Sequence, residues 1–224
     1  MKNYKNLLDH SSFFNNTILS FSTKNENEYT LKNTFNAMNI SNHIAKCNQV
    51  HSAEVKYISQ SGVYNGIDGL VSNLSNNIYL QIVTADCVPI FMYDEYNGNI
   101  GLLHSGWKGT YNNIVDKGID LFIEKTSKID DIKVLLGPSI KGCCYEVKED
   151  VSSLFDKEFI LINNNKLYLD MSTKIKNDLL KRDIKKKNIF ISDVCTYEDE
   201  KFHSFRRDKS KSGRIFSIIG RKNF

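Results

Sequence analysis

Between Ile78 and His104 the chain reads as three apolar runs broken by two sharp interruptions, and this stretch constrains the fold more than any other. Ile78–Thr84 and Val88–Tyr93 are rich in β-branched and aromatic residues, as strands are, and only Ala85-Asp86-Cys87 separates them. Glu95-Tyr96-Asn97-Gly98 then carries the Asn-Gly hairpin signal, with Asn99–His104 following as another strand. The pattern predicts an antiparallel hairpin of Val88–Tyr93 with Asn99–His104. Such a hairpin brings Cys87 and His104 to the same end of a sheet. Register varies by a residue or two with turn type, so the expectation is neighbourhood and not contact.

Elsewhere helices alternate with strands. Asn16–Ser22 is strand-like, and Leu31–Met38 is a helix candidate. In Ile114–Thr126 the residues Ile114, Val115, Ile119, Phe122 and Ile123 recur at helical spacing. Lys133–Leu136 reads as a strand ended by Gly137-Pro138, and Asp150–Lys157 as a short helix. Ser172 is a candidate N-cap for a helix carrying Ile175, Leu179, Leu180 and Ile184. Asn188–Val194 and Arg214–Ile219 read as strands. There are no repeats, no linker-like stretch and only two prolines, so nothing marks a domain boundary. The expectation is an α+β fold, a single layered α/β sandwich domain over residues 1–224 with a mixed sheet and at least one β-hairpin.

Composition narrows the function. A net charge of +4 over 224 residues is modest, and the one basic block, Lys181–Lys187, ends an amphipathic segment, so it reads as a solvated helix end rather than a nucleic-acid surface. The N-terminus lacks the apolar core of a secretory signal, and no run approaches the roughly 18 apolar residues of a membrane span, which leaves the cytoplasm as the expected compartment. Five cysteines, an odd number without an export signal, read as thiols or metal ligands rather than a disulfide framework.

Thiolate and imidazole are both good zinc ligands. Cys87 and His104 supply one of each, and His51 in Asn48-Gln49-Val50-His51-Ser52 supplies a third. Three protein ligands leave a fourth position open, as in catalytic zinc sites. The spacing matches no metal motif, however, so on the residues alone a buried Cys87 with a hydrogen-bonded His104 is the favoured reading. Asp86 is either a group that orients a ligand or a turn aspartate. Cys143 and Cys144 point to opposite faces if extended, and these two, with Cys47 and Cys195, are assigned to core packing. His10 and His43 have no supporting context.

Five blocks in order carry a resemblance. They are Gln49-Val50-His51, Thr84–Pro89, His104-Ser105-Gly106-Trp107-Lys108-Gly109, Gly137-Pro138-Ser139-Ile140 with Cys144-Tyr145-Glu146-Val147, and Phe205-Arg206-Arg207-Asp208 with Ser212-Gly213-Arg214. Together they resemble the laccase-domain, or multicopper-polyphenol-oxidase-like, family, whose bacterial members are described as purine nucleoside phosphorylases with adenosine deaminase activity. The resemblance places a metal, zinc or else copper, on His51, Cys87 and His104, the trio that the chemistry allows. It implies a small nucleoside and phosphate as partners, no nucleic acid or membrane, and a monomer or homodimer. Where the family commonly has arginine after the tryptophan, this chain has Lys108, a point charge in place of a bidentate fork. Phosphorolysis needs an anion site, for which Lys108, Arg206 and Arg207 are the candidates. His203 and Tyr145 are further candidates to approach the site, and Trp107 is expected to pack beside the metal.

Rival chemistries follow from the same residues. Multicopper oxidation needs many histidines, and the chain has five. A thiol hydrolase would use Cys87 as nucleophile, His104 as base and Asp86 as orienting group, although Asp86 is awkwardly adjacent to Cys87. Some relatives are linked to editing of peptidoglycan precursors, which would make the substrate an amide. A binding module without catalysis is a further alternative. For deamination the H-x-E glutamate of zinc deaminases is missing, and Glu54 is the nearest candidate acid/base.

Overall fold

All seven residues of Val88–Asp94 and all seven of Asn99–Ser105 are buried, so the sheet they form is covered on both faces. The computed structural model, which describes residues 7–9 and 12–222, shows what covers them. Alternate side chains serve two cores: Ile90 and Met92 pack with Ile114, Ile119, Ile175 and Leu179, while Phe91 and Tyr93 pack with Leu19, Leu80, Ile82 and Ile215.

The second of these cores lies between two six-stranded sheets. One sheet runs in the order Leu7–Asp9, Thr17–Ser22, Ile215–Arg221, Tyr79–Thr84, Ile44–Asn48, Gly62–Asn65; the other runs Ile189–Ile191, Ile132–Leu136, Val88–Asp94, Asn99–Ser105, Gly69–Asn73, Val55–Tyr57. Both are mixed, with parallel pairs such as Ile44–Asn48 with Tyr79–Thr84 and Val55–Tyr57 with Gly69–Asn73. The helix Glu28–Ala37 covers the outer face of the first sheet through Leu31 and Phe35, packed with Tyr79, Phe216 and Ile218. The helices Ile114–Glu124 and Met171–Lys181 cover the outer face of the second. The fold is thus the α+β layered sandwich expected. Among the described residues no helix is long and apolar enough to cross a membrane.

The hairpin forms as read. Pro89 pairs with His104 and Val88 with Ser105. Asp94 closes the turn, its carboxylate accepting from the amides of Tyr96 and Asn97 at 2.9 and 3.3 Å, and Gly98 sits at φ 71°. Asn113 precedes the helix Ile114–Glu124, which buries Ile114, Val115, Ile119 and Phe122 as read from the sequence but leaves Ile123 exposed.

Three readings are corrected. Asp170, not Ser172, caps the helix Met171–Lys181: its carboxylate accepts from the Thr173 amide at 3.0 Å, and Ser172 is buried in the first turn. That helix stops at Lys181, and Ile184 is buried beyond it. The short helix expected over Asp150–Lys157 is only Glu149–Ser152, because Phe155 and Phe159 turn into the core. A third sheet, Glu146–Val147, Lys166–Leu169 and Ile160–Asn163, went unread. Its hairpin turns on Asn164 and Asn165, both left-handed at φ 49° and 58°. His10 lies outside the described residues.

Candidate metal centre

Among the described residues the chain crosses from the first sheet to the second at three places; two of them carry a candidate ligand, and the third, between Gly62–Asn65 and Gly69–Asn73, carries Asp68. Ala85-Asp86-Cys87 links Tyr79–Thr84 to Val88–Asp94, and the segment holding His51 links Ile44–Asn48 to Val55–Tyr57. His104 sits in the strand Asn99–Ser105, beside Cys87 through the hairpin register. The ligand atoms of His51, Cys87 and His104 all lie within 4.8 Å of one another. The two imidazole rings meet edge-on, with centroids 4.8 Å apart and planes at 81°.

The crossings are sharp. His51 and Asp86 both adopt left-handed backbone, at φ 59° and 88°. Gln49 pins the first turn to the edge of Tyr79–Thr84, its amide donating to Val83 O and accepting from Val83 N, each at 2.8 Å. Gly106 closes the cluster on a third side. A Cβ there would lie 3.1 Å from Cys87 Sγ and 3.3 Å from His51 Cδ2, so any larger residue would press on both side chains.

Asp68 is the residue that sequence reading missed. Fully buried, it accepts from the amides of Val50, His51 and Ser52 at 3.2, 3.0 and 2.7 Å and from Ser52 Oγ at 2.8 Å. It also takes the Nδ1 proton of His104 at 2.7 Å, which leaves Nε2 for the cluster. Burial alone would raise its carboxyl, but the hydrogen bonds from His104 and Ser52 outweigh this and hold it at about 2. Burial likewise opposes charge on Cys87 and His104. Hydrogen bonds with the two histidines bring the Cys87 thiol down to about 6, and Asp68 and Cys87 raise His104 to about 9. A thiolate and an oriented imidazole are what a zinc or copper ion requires, so the donor set fits a metal.

The trio opens on a cleft of about 610 Å³, within the range of small-molecule sites. Trp107, Tyr145, Phe205, Arg206 and Arg214 share its wall, with Cys47, Asn48 and Asp86. Arg206 stacks on the Tyr145 ring, 5.1 Å from its centroid, and donates to Glu146 O at 2.6 Å. Arg207 is turned away and spends its whole fork. It donates to the carbonyls of Thr196, Tyr197 and Phe202 and, twice, to Asp208.

Asp86 faces away from His104. Its carboxylate accepts from Thr196 Oγ1 at 2.8 Å and the Arg206 amide at 2.6 Å, so it shapes the turn before Cys87 and ties it to the Arg206 helix. Lys108 is exposed, its ammonium 5.6 Å from the Trp107 ring centroid, and is not among the cleft-lining residues. Glu54 is exposed and paired with Lys117. His203 accepts from the Gly213 amide at 3.1 Å and packs under that glycine. Cys143 is exposed, against the core role expected for it, and Cys195 is buried.

A family model for the multi-copper polyphenol oxidoreductase laccase matches residues 11–222. The chain belongs to this family. A Staphylococcus epidermidis protein named a purine nucleoside phosphorylase is 35% identical over 70% of this chain and 61% of its own length, so the chain spans less than two thirds of that relative. One from Clostridium acetobutylicum, with the same name, is 33% identical over 88% of this chain and 84% of its own. Among solved structures, YlmD from Geobacillus stearothermophilus superposes with a TM-score of 0.90 at 24% identity, covering 100% of this chain and 98% of its own, which shows a common fold. In this laccase-family chain, all five sequence blocks that carried the resemblance supply residues to the cleft wall, namely those around Gln49, Asp86, His104, Tyr145 and Arg206.

Proposed function

We propose that this laccase-family chain is a zinc-dependent purine nucleoside phosphorylase, acting on adenosine, inosine or methylthioadenosine with phosphate to give free base and ribose 1-phosphate, with adenosine deaminase activity besides. One observation carries the reading: the His51/Cys87/His104 cluster opens on a cleft whose other wall combines aromatic faces with Arg206 and Arg214. The names of the relatives agree with its phosphorylase part.

Each part of the wall has a role. Trp107, Tyr145 and Phe205 offer flat surfaces for a purine. Arg206, held by Tyr145 and Glu146 O, presents a guanidinium to phosphate, with Arg214 as a second charge. Arg207 braces the loop and leaves phosphate to these two. His51, Cys87 and His104 would hold the zinc, and Asp68 keeps His104 in the tautomer that ligation needs. A zinc ion bound there supplies a Lewis acid on the cleft floor. For deamination neither carboxylate is poised to handle a proton: Asp86 lines the cleft but is held by Thr196 and the Arg206 amide, and Glu54 is paired with Lys117.

A second reading draws on the row Asp68–His104–Cys87, the order of groups in a thiol hydrolase, with Asp68 in place of the Asp86 suggested by sequence. The second imidazole on Cys87 favours metal over nucleophile.

Elemental analysis of wild type and Cys87→Ala, with phosphate-dependent hypoxanthine release from inosine, tests the proposal. Zinc and turnover lost together in the variant support it. Turnover that survives complete metal removal would make Cys87 a nucleophile. Zinc bound without nucleoside turnover would point to an amide substrate, such as a peptidoglycan precursor.

A further inference from the structure

Away from the cleft lining, a second set of soft ligands converges. The Sγ atoms of Cys143, Cys144 and Cys195 and a Glu198 carboxylate oxygen all lie within 4.8 Å of one another. Cys143 and Cys144 come from the turn that follows Lys141, where the Cys144 amide donates to Lys141 O at 2.9 Å. Cys195 and Glu198 share a second turn, closed by the Glu198 and Asp199 amides on Cys195 O at 3.2 and 2.9 Å. A parallel bridge of Ser139 with Cys195 holds the two turns side by side. None of the four residues lines the 610 Å³ cleft.

We propose that Cys143, Cys144, Cys195 and Glu198 form a second, structural zinc site. Zinc with ligands at about 2.3 Å for sulfur and about 2.1 Å for oxygen has tetrahedral edges of roughly 3.8 Å between sulfurs and roughly 3.6 Å from sulfur to oxygen. Cys143 Sγ lies 3.9 Å from Cys195 Sγ and 3.6 Å from Glu198 Oε2, which matches both. The Cys143–Cys144 separation of 3.0 Å has to widen by about 1 Å, within reach of a side-chain rotation in a turn whose Cys143 is exposed. Four protein ligands make a closed site, unlike the three of the cleft. The carboxylate selects zinc over copper(I), which prefers sulfur alone.

The charge is manageable. Three thiolates and a carboxylate around a divalent ion leave excess negative charge, and the largely buried Lys141 ammonium faces Cys195 and Cys143 while bonding to Ser139 and Ser172. Binding displaces thiol protons, so affinity rises with pH.

The position gives the ion a task. Cys144 precedes Tyr145, which walls the cleft and supports Arg206; Cys195 precedes Thr196, which holds Asp86. An ion here clips together the two turns that support that wall, although they are 52 residues apart in sequence.

The test uses the full chain carrying Cys87→Ala, so that no thiolate remains in the cleft cluster. Cobalt(II) titration is expected to give one equivalent with an intense thiolate-to-cobalt charge-transfer band, displaced by zinc. Adding the exposed Cys143→Ser or Glu198→Gln should weaken cobalt and zinc binding by about tenfold or more, with the circular dichroism spectrum unchanged. No thiolate band in folded Cys87→Ala protein, or a band indifferent to Cys143→Ser, overturns the site. Preferential copper(I) binding indifferent to Glu198→Gln overturns the zinc assignment.

Discussion

On one wall of the cleft, His51, Cys87 and His104 hang from strand ends and from a single buried carboxylate; on the other, Arg206 hangs from a short helix whose neighbour Arg207 grips three backbone carbonyls. The first wall is built from the inside out. Asp68 gathers its donors in the interior, where a hydrogen bond to a charged group is strongest and an orphaned partner most damaging. The second wall is built at the surface, by a cation that borrows peptide oxygens. A ligand cluster must be fixed closely before an ion arrives, whereas an anion-binding arm only has to present charge.

The difference is most exposed by Asp68→Asn. Losing the charge that faces four donors and His104 should lower stability by about 3–5 kcal/mol in urea unfolding and weaken zinc about 10–100-fold. A loss under about 1 kcal/mol would remove Asp68 from the centre of this wall. Next comes Arg207→Ala, expected to lower stability by about 2–3 kcal/mol while leaving the phosphate KM near wild type at temperatures where the variant is folded. Arg206→Ala should do the reverse: stability within about 0.5 kcal/mol, and a phosphate KM raised about tenfold, equivalent to about 1.4 kcal/mol of binding. If both variants shift KM alike, the division between bracing and binding arginine fails.

Acid acts on both walls in the same window, because Asp68 and Asp208 are each held at about 2. The hydrogen bond from Arg207 holds the Asp208 carboxyl at about 2, below its usual 3.8, with Lys24 adding to it. A carboxyl lowered on folding contributes stability above its unfolded value and loses it as pH falls through the folded one. The surface wall should therefore loosen between about pH 4 and about pH 2, and Asp208→Asn should reduce the slope of that part of the stability profile measured by chemical denaturation. The smallest effect is expected at Lys108→Ala. With the ammonium over Trp107 and outside the cleft lining, stability should stay within about 0.5 kcal/mol and phosphate KM unchanged. A large KM rise would bring Lys108 back to the anion site.

What could be read from sequence depended on whether the signal was local. The hairpin was legible because strand composition and the Asn-Gly turn act within a few residues. The trio was legible from donor chemistry and from the ordered blocks. Asp68 was not. It stands alone between Ile67 and Gly69 in no motif, and it meets His104, 36 positions on, only because Gly69 pairs with Leu103 across the sheet. An aspartate just ahead of a strand that opens Gly-Leu-Val is the trace it leaves. Asp86 misled for the opposite reason: adjacency to Cys87 suggested partnership, yet the left-handed turn aims its carboxylate at Thr196 and Arg206. Arg206 and Arg207 look interchangeable in sequence, and only the carbonyls gathered around the second distinguish them. The short strands from Ile44 to Asn73 gave no clear alternation because Val55–Tyr57 and Gly62–Asn65 are three- and four-residue strands at sheet edges, partly or largely exposed.

The three cleft ligands differ in how they meet water: His104 is only 2% exposed, Cys87 is intermediate and His51 lies open. Asp68 fixes the backbone of His51, while its exposed ring meets Cys87 and packs edge-on against His104. An ion held here would therefore have one ligand facing water and two enclosed. A chelator would then reach a metal ion bound at this site past His51, without the fold having to open.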